Sequence, residues 1–149
     1  MKFGIDRLIA EPKLRAPLSG KRVALLAHPA SVTADLTHSL DALAACGDLK
    51  LSAAFGPQHG LRGDKQDNMM ESPDFEDPVH HIPVFSLYGE VRRPRGQWMG
   101  TFDVLLVDLD AQTNLTTMMI GAEANAGGGL PGVTIASKTG TAEHGVDAS

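Results

Sequence analysis

Short apolar runs separated by turn signals set the outer limits of what this chain can fold into. Arg22–Ala27 (RVALLA) is brief and almost wholly apolar, the pattern of a strand covered on both faces. Leu49–Phe55 and Ile82–Leu87 read as the second and third strands, and Thr101–Leu109 contains the fourth and clearest. Helical patterns separate them. Phe3, Ile5, Leu8 and Ile9 recur at near-helical spacing, which predicts a short amphipathic helix ending before Pro12. Thr37–Cys46 predicts another, with Leu36, Leu40, Leu43 and Ala44 on one face and Gly47 as its cap. Ser19-Gly20 and His28-Pro29 mark turns, and a long polar loop spans Gly56 to about His81. Strands alternating with helices imply a layered α/β fold with a mainly parallel sheet.

The chain has 149 residues, enough for one ordinary domain with a real core. Its hydrophobic fraction of 42% and charged fraction of 21% are globular values. A formal net charge of -5 argues against nonspecific binding to nucleic acid or to an anionic membrane, since both partners are negative. Cys46 is the single cysteine, so no intramolecular disulfide forms. The start, Met1 to Arg7, has no long apolar run, so neither a signal peptide nor a membrane span is predicted, and the cytoplasm is the default compartment.

The chemistry concentrates in Phe55–Ser72 (FGPQHGLRGDKQDNMMES). Its glycines permit tight or positive-φ turns, and it follows the carboxyl end of a predicted parallel strand, where open α/β sheets place ligands. Gln58 and Asn68 suit sugar hydroxyls, Arg62 an anionic substituent, and Asp64 or Glu71 proton transfer. His59 adds an imidazole. The same residues also fit a solvated loop whose Asp and Asn side chains cap turns. His28, His80 and His81 lie at predicted strand ends, but no metal-ligand spacing joins them. They read as loop histidines, and neither a metal nor a cofactor is expected.

Three segments in order, Phe55–Asp64 (FGPQHGLRGD), Ile82–Gly89 (IPVFSLYG) and Phe102–Asp108 (FDVLLVD), resemble the exo-β-N-acetylmuramidase family over roughly Phe3 to Leu109. The resemblance implies a Rossmann-like domain and hydrolysis of terminal N-acetylmuramic acid from peptidoglycan fragments. Such hydrolysis generally needs two carboxyl groups flanking the bond. The substrate-binding candidates are then Gln58, His59, Arg62, Asn68 and Tyr88, and the catalytic candidates Asp64 and Glu71. Many members carry Glu where this chain has Gln58, and an amide cannot act as a general acid. The family pattern also continues beyond the fourth strand with a Gln-Asp-Val-Gly-type segment and further catalytic loops, which do not follow Leu109 here.

After Leu109 the character changes. Asp110–Ala126 predicts a helix, with Leu115, Met118, Met119 and Ala122 on one face, and Val133–Ser137 predicts a strand. This strand leads into Lys138-Thr139-Gly140-Thr141, and the whole of Asp110–Gly145 resembles the transpeptidase domain of actinobacterial class B penicillin-binding proteins. In that family the lysine and second threonine bind the substrate carboxylate. The nucleophilic Ser-x-x-Lys motif occurs nowhere in this sequence, nor does Ser-x-Asn. Without an activated serine no acyl-enzyme forms, so Lys138–Thr141 reads as a vestigial motif with a solvated lysine.

The expectation is a chimera of residues 1–109 and 110–149: a partial Rossmann-like domain with a helix and strand of different origin. Derived from peptidoglycan-processing enzymes, it is expected to be catalytically inactive. Residual exo-N-acetylmuramidase activity on a muramic-acid-containing sugar is the alternative. A protein-binding or inhibitory module with an unidentified partner is the third possibility.

Overall fold

The computed structural model describes residues 3–57, 60–64, 71–108 and 134–136. Helix α1 (Gly4–Ala10) and the short α2 (Pro12–Arg15) lead through a 3-10 turn to β1 (Arg22–Leu26); α3 (Ser39–Ala44) and β2 (Lys50–Gly56) follow. A two-residue β3 (Phe75–Glu76), β4 (Pro83–Ser86), the single turn α4 (Gly96–Met99), β5 (Val104–Val107) and β6 (Thr134–Ala136) complete the order. The strands form one sheet in the order β3-β4-β2-β1-β5-β6. All neighbours are parallel except β3 and β4.

The pattern of β1 explains why it is central. Val23, Leu25 and Ala27 belong to one core cluster, with Leu40 and Leu43 of α3, Val84, Val104 and Leu106. Ala24 and Leu26, the alternate residues, join Phe55, Phe85, Trp98, Phe102 and Leu105 in a second cluster. Side chains alternate across a strand, so these clusters are the two faces of one sheet. Ile5, Leu8 and Ile9 of α1 pack against the first, which is the use of their near-helical spacing. The second is aromatic: Phe55 meets Phe85, Trp98 and Phe102 at centroid distances of 5.3, 6.2 and 5.8 Å, and Phe85 stacks on Trp98 at 4.8 Å.

Polar ties fix the edges of this core. The Arg15 guanidinium donates to both Asp48 carboxylate oxygens at 2.9 Å and to the Leu8 carbonyl at 2.7 Å, joining the end of α1 to the turn before β2. Asp103 accepts from the Arg22 backbone N–H at 2.8 Å and from its guanidinium at 2.7 Å, locking the start of β1 to the approach to β5.

The predicted elements hold with shifted ends. The second helix covers Ser39–Ala44 rather than Thr37–Cys46, and its cap is Ala45 rather than Gly47. Leu36 is not on its apolar face: the residue lies before the helix with φ of 67° and is 80% exposed. His38 ends the extended approach to the helix by accepting the Leu40 N–H on its ring. The polar loop contains β3, and α4 lies between the third and fourth predicted strands; two and four residues are too few to print a period. The predicted last strand appears as β6 beside β5, with Val104 aligned to Thr134 and Leu106 to Ala136. The predicted helix carrying Leu115, Met118, Met119 and Ala122 lies outside the described residues. Among the described residues no helix is long and apolar enough to cross a membrane.

Candidate functional site

From β1 the chain steps to one side through β2 to β4, then returns to the other side of β1 as β5. In open α/β sheets this reversal opens a crevice at the carboxyl ends of the strands, where ligands bind. Four loop starts meet there: His28 after β1, Pro57 after β2, Leu87 after β4 and Asp108 after β5.

One imidazole pins two of these loops to α3. Nδ1 of His38 accepts the Leu40 N–H at 3.2 Å, so Nε2 carries the proton. That Nε2 lies 3.2 Å from the His28 carbonyl and 3.0 Å from the Leu61 carbonyl, both acceptors. Burial of the ring holds its pKa below the ordinary value, which keeps this neutral tautomer. Beside it, the buried Ser39 hydroxyl donates to Asp108 Oδ2 at 2.7 Å, and the Asp108 N–H donates to the Leu26 carbonyl at 2.9 Å. Bonds from the start of α3 thus reach the loops after β1 and β2 and the residue that follows β5.

The loop after β2 turns through Gly60 and Gly63 at φ of 76° and 75°, a backbone region that L side chains avoid. These turns deliver Arg62 to two carboxylates. Its guanidinium grips Asp41 of α3 at 2.6 and 2.7 Å and reaches Asp77 at 3.4 Å. His80 Nε2 sits 2.7 Å from the same Asp41 carboxylate. Hydrogen bonds from Arg62 hold Asp41 well below the usual carboxylate range, despite the opposing effect of burial. At Asp77 burial pushes upward most strongly, yet the N–H groups of His80 and Val79 and the Arg62 charge together outweigh it and lower its pKa. Arg62 itself is shifted upward, first by its hydrogen bond with Asp41.

The remaining candidates divide by place. Tyr88 is buried just beyond β4: its N–H donates to Ser86 Oγ at 3.2 Å and its carbonyl accepts the Ser72 N–H at 3.0 Å. Glu71, exposed, directly precedes Ser72, so the Glu71 and Tyr88 segments adjoin. Gly89 makes this approach possible, because a Cβ there would stand 2.9 Å from the Ser72 carbonyl oxygen. Asp64 is exposed after the Gly63 turn. Gln58, His59 and Asn68 lie outside the described residues, as do Lys138, Thr139, Gly140 and Thr141. His28 accepts the Ala30 N–H at 3.2 Å, and His81 lies 3.3 Å from the Glu76 carboxylate.

Asp41, His38, Ser39 and Asp108 escape the sequence reading because their partners are distant in the chain. Asp77 carried a signal: Asp followed by Pro is a turn opener, and its Oδ1 accepts the N–H groups of Val79 and His80 at 3.0 and 2.8 Å.

The peptidoglycan β-N-acetylmuramidase NamZ of Bacillus subtilis is 37% identical over 136 residues, covering 88% of this chain and 32% of that protein. The crystal structure of a DUF1343 family protein from Bacteroides fragilis superposes with a TM-score of 0.66 at 30% identity, over 85% of this chain and 32% of that one. The chain thus spans about a third of the length of these relatives. A separate match of 35 residues is 66% identical to the peptidoglycan D,D-transpeptidase PbpA of Mycobacterium tuberculosis, covering 22% of this chain and 7% of that protein. The profile of the N-terminal family of the exo-β-N-acetylmuramidase NamZ matches residues 23–124, running past Leu109. By that match and its sheet, the chain belongs to the exo-β-N-acetylmuramidase NamZ N-terminal family.

Proposed function

We propose that this chain is a peptidoglycan-derived sugar-recognition domain of the glycosidase type that binds terminal N-acetylmuramic acid at the crevice and does not cleave it. The observation that carries this reading is the pairing of its carboxylates. Glycoside hydrolysis needs an acid held protonated near neutral pH beside a second carboxylate. Asp41 and Asp77 are instead both held ionised, around Arg62, and Asp108 is bound to Ser39. Position 58, which the family resemblance marks for an acid, holds an amide. Gln58, His59, Asn68 and Tyr88 are assigned to the sugar. The division into residues 1–109 and 110–149 belongs to the same reading. Its support is the short, highly identical transpeptidase match and the change of pattern after Leu109, while the family profile itself runs on across this boundary to residue 124.

The second reading, retained exo-β-N-acetylmuramidase activity with Asp64 and Glu71 as the reacting pair, is favoured by the 37% identity to a hydrolase. Incubation of the whole chain with a synthetic β-N-acetylmuramoside separates the two. Calorimetric binding of N-acetylmuramic acid without release of the leaving group is the expected result. Turnover that disappears in Asp64→Asn or Glu71→Gln would overturn it in favour of the enzyme, and absence of both binding and turnover would overturn both readings.

A further inference from the structure

We propose that Arg92 is the cation that receives the carboxylate of an acidic sugar at this crevice, held ready by its stack on Tyr88; the sugar part of this rests on the recognition reading above. N-Acetylmuramic acid differs from N-acetylglucosamine by a lactyl ether that ends in a carboxylate, so a site that tells them apart requires a cation with donors to spare. Arg62 does not meet that requirement, because two carboxylates already occupy its guanidinium. Arg92 does. Its Cζ lies 4.4 Å from the centroid of the buried Tyr88 ring, a cation–π contact that fixes the head of a long side chain. A guanidinium held through its face keeps its N–H fork for a planar, bidentate partner. Among the described residues no carboxylate pairs with Arg92 or with the adjacent, exposed Arg93.

The surroundings favour an anion. The chain is acidic overall, yet Tyr88–Gln97 holds three arginines and one glutamate, and that glutamate, Glu90, is bound to Arg95 at 2.9 Å. The loop therefore keeps a local positive field. Tyr88 also anchors the arginine to the site: its carbonyl accepts the Ser72 N–H, and Gly89 lets the loop press against the Ser72 backbone. Tyr88 and Gly89 thus tie the loop that carries Arg92 to the segment that carries Glu71.

Tyr88 is the sole tyrosine, so its ring NMR signals report the arginine above it. The whole chain is titrated with D-lactate, N-acetylmuramic acid and N-acetylglucosamine. Both carboxylates are expected to shift the Tyr88 signals, with N-acetylmuramic acid binding more tightly than either D-lactate or the neutral sugar. Arg92→Ala, a surface change, is expected to weaken the acidic sugar about tenfold or more and to erase its advantage over N-acetylglucosamine. Arg92→Lys, which keeps the charge and loses the fork, is expected to restore part of it. Tight N-acetylmuramic acid binding that Arg92→Ala leaves unchanged, or no Tyr88 shift with any carboxylate, overturns the role of Arg92. Arg92-dependent D-lactate binding with no gain from the sugar ring instead leaves the anion site standing and overturns the muramic-acid reading.

Discussion

Replacing Asp77 tests whether the network around Arg62 rests on hydrogen bonds or on charge. Asp77 is 2% exposed and sits in the turn between β3 and β4. One carboxylate oxygen accepts the Val79 and His80 N–H groups at 3.0 and 2.8 Å, and the other faces Arg62 at 3.4 Å. Asp77→Ala removes the acceptor of both backbone donors. At about 1 kcal/mol for each net hydrogen bond, with an added penalty where a donor is left without water, the loss comes to about 2–3 kcal/mol. Asp77→Asn keeps the carbonyl that serves the backbone and gives up the charge opposite a guanidinium that is itself one-third exposed. With one partner buried and the other partly in water, the pair contributes about 1 kcal/mol. Urea unfolding followed through the single tryptophan, Trp98, which stacks on Phe85 of β4, reads both variants as midpoint shifts at constant slope. Both variants give up the charge, so the expected gap between Ala and Asn is the hydrogen-bond part, about 2–3 kcal/mol. Equal losses in the two variants would refute the assignment of the turn to its hydrogen bonds.

Other expectations are independent of that one. Gly89→Ala, whose Cβ would meet the Ser72 carbonyl at 2.9 Å, should destabilise by about 1–3 kcal/mol through overpacking and move the Tyr88 ring signals; wild-type signals and midpoint would sink the close-approach argument. Arg22 holds Asp103 at about 2, below its ordinary 3.8. Between those values the unfolded chain binds more protons than the folded one, so this contribution is intact above about pH 4 and disappears as pH falls through about 2. Asp103→Asn should therefore flatten the acid limb of a midpoint-against-pH curve, and an unchanged limb contradicts the linkage. Incubation with a labelled penicillin should leave the intact mass unchanged, because Lys138-Thr139-Gly140-Thr141 has no Ser-x-x-Lys nucleophile to serve; a stoichiometric adduct on any serine would refute this.

What the sequence determined is the sheet and the identity of its loops. RVALLA implies a strand buried on both faces because every residue after the arginine is apolar, and Val23–Leu26 does divide between two cores. The glycines of Phe55–Asp64 foretold a tight loop at a strand end, and Gly60 and Gly63 both adopt positive φ. These features are local: alternation, turn chemistry and run length act over a few residues. Tertiary structure decided the order of strands and the partners of the charges. Arg62 has the same charge beside a sugar or beside Asp41, and its 21-residue separation from Asp41 carries no trace of which applies. The 69-residue separation of Ser39 from Asp108 and the 23-residue separation of His38 from Leu61 are equally silent. Side-chain hydrogen bonds and ion pairs depend on ångström-scale geometry, and only packing around both faces of the sheet brings such distant residues into range.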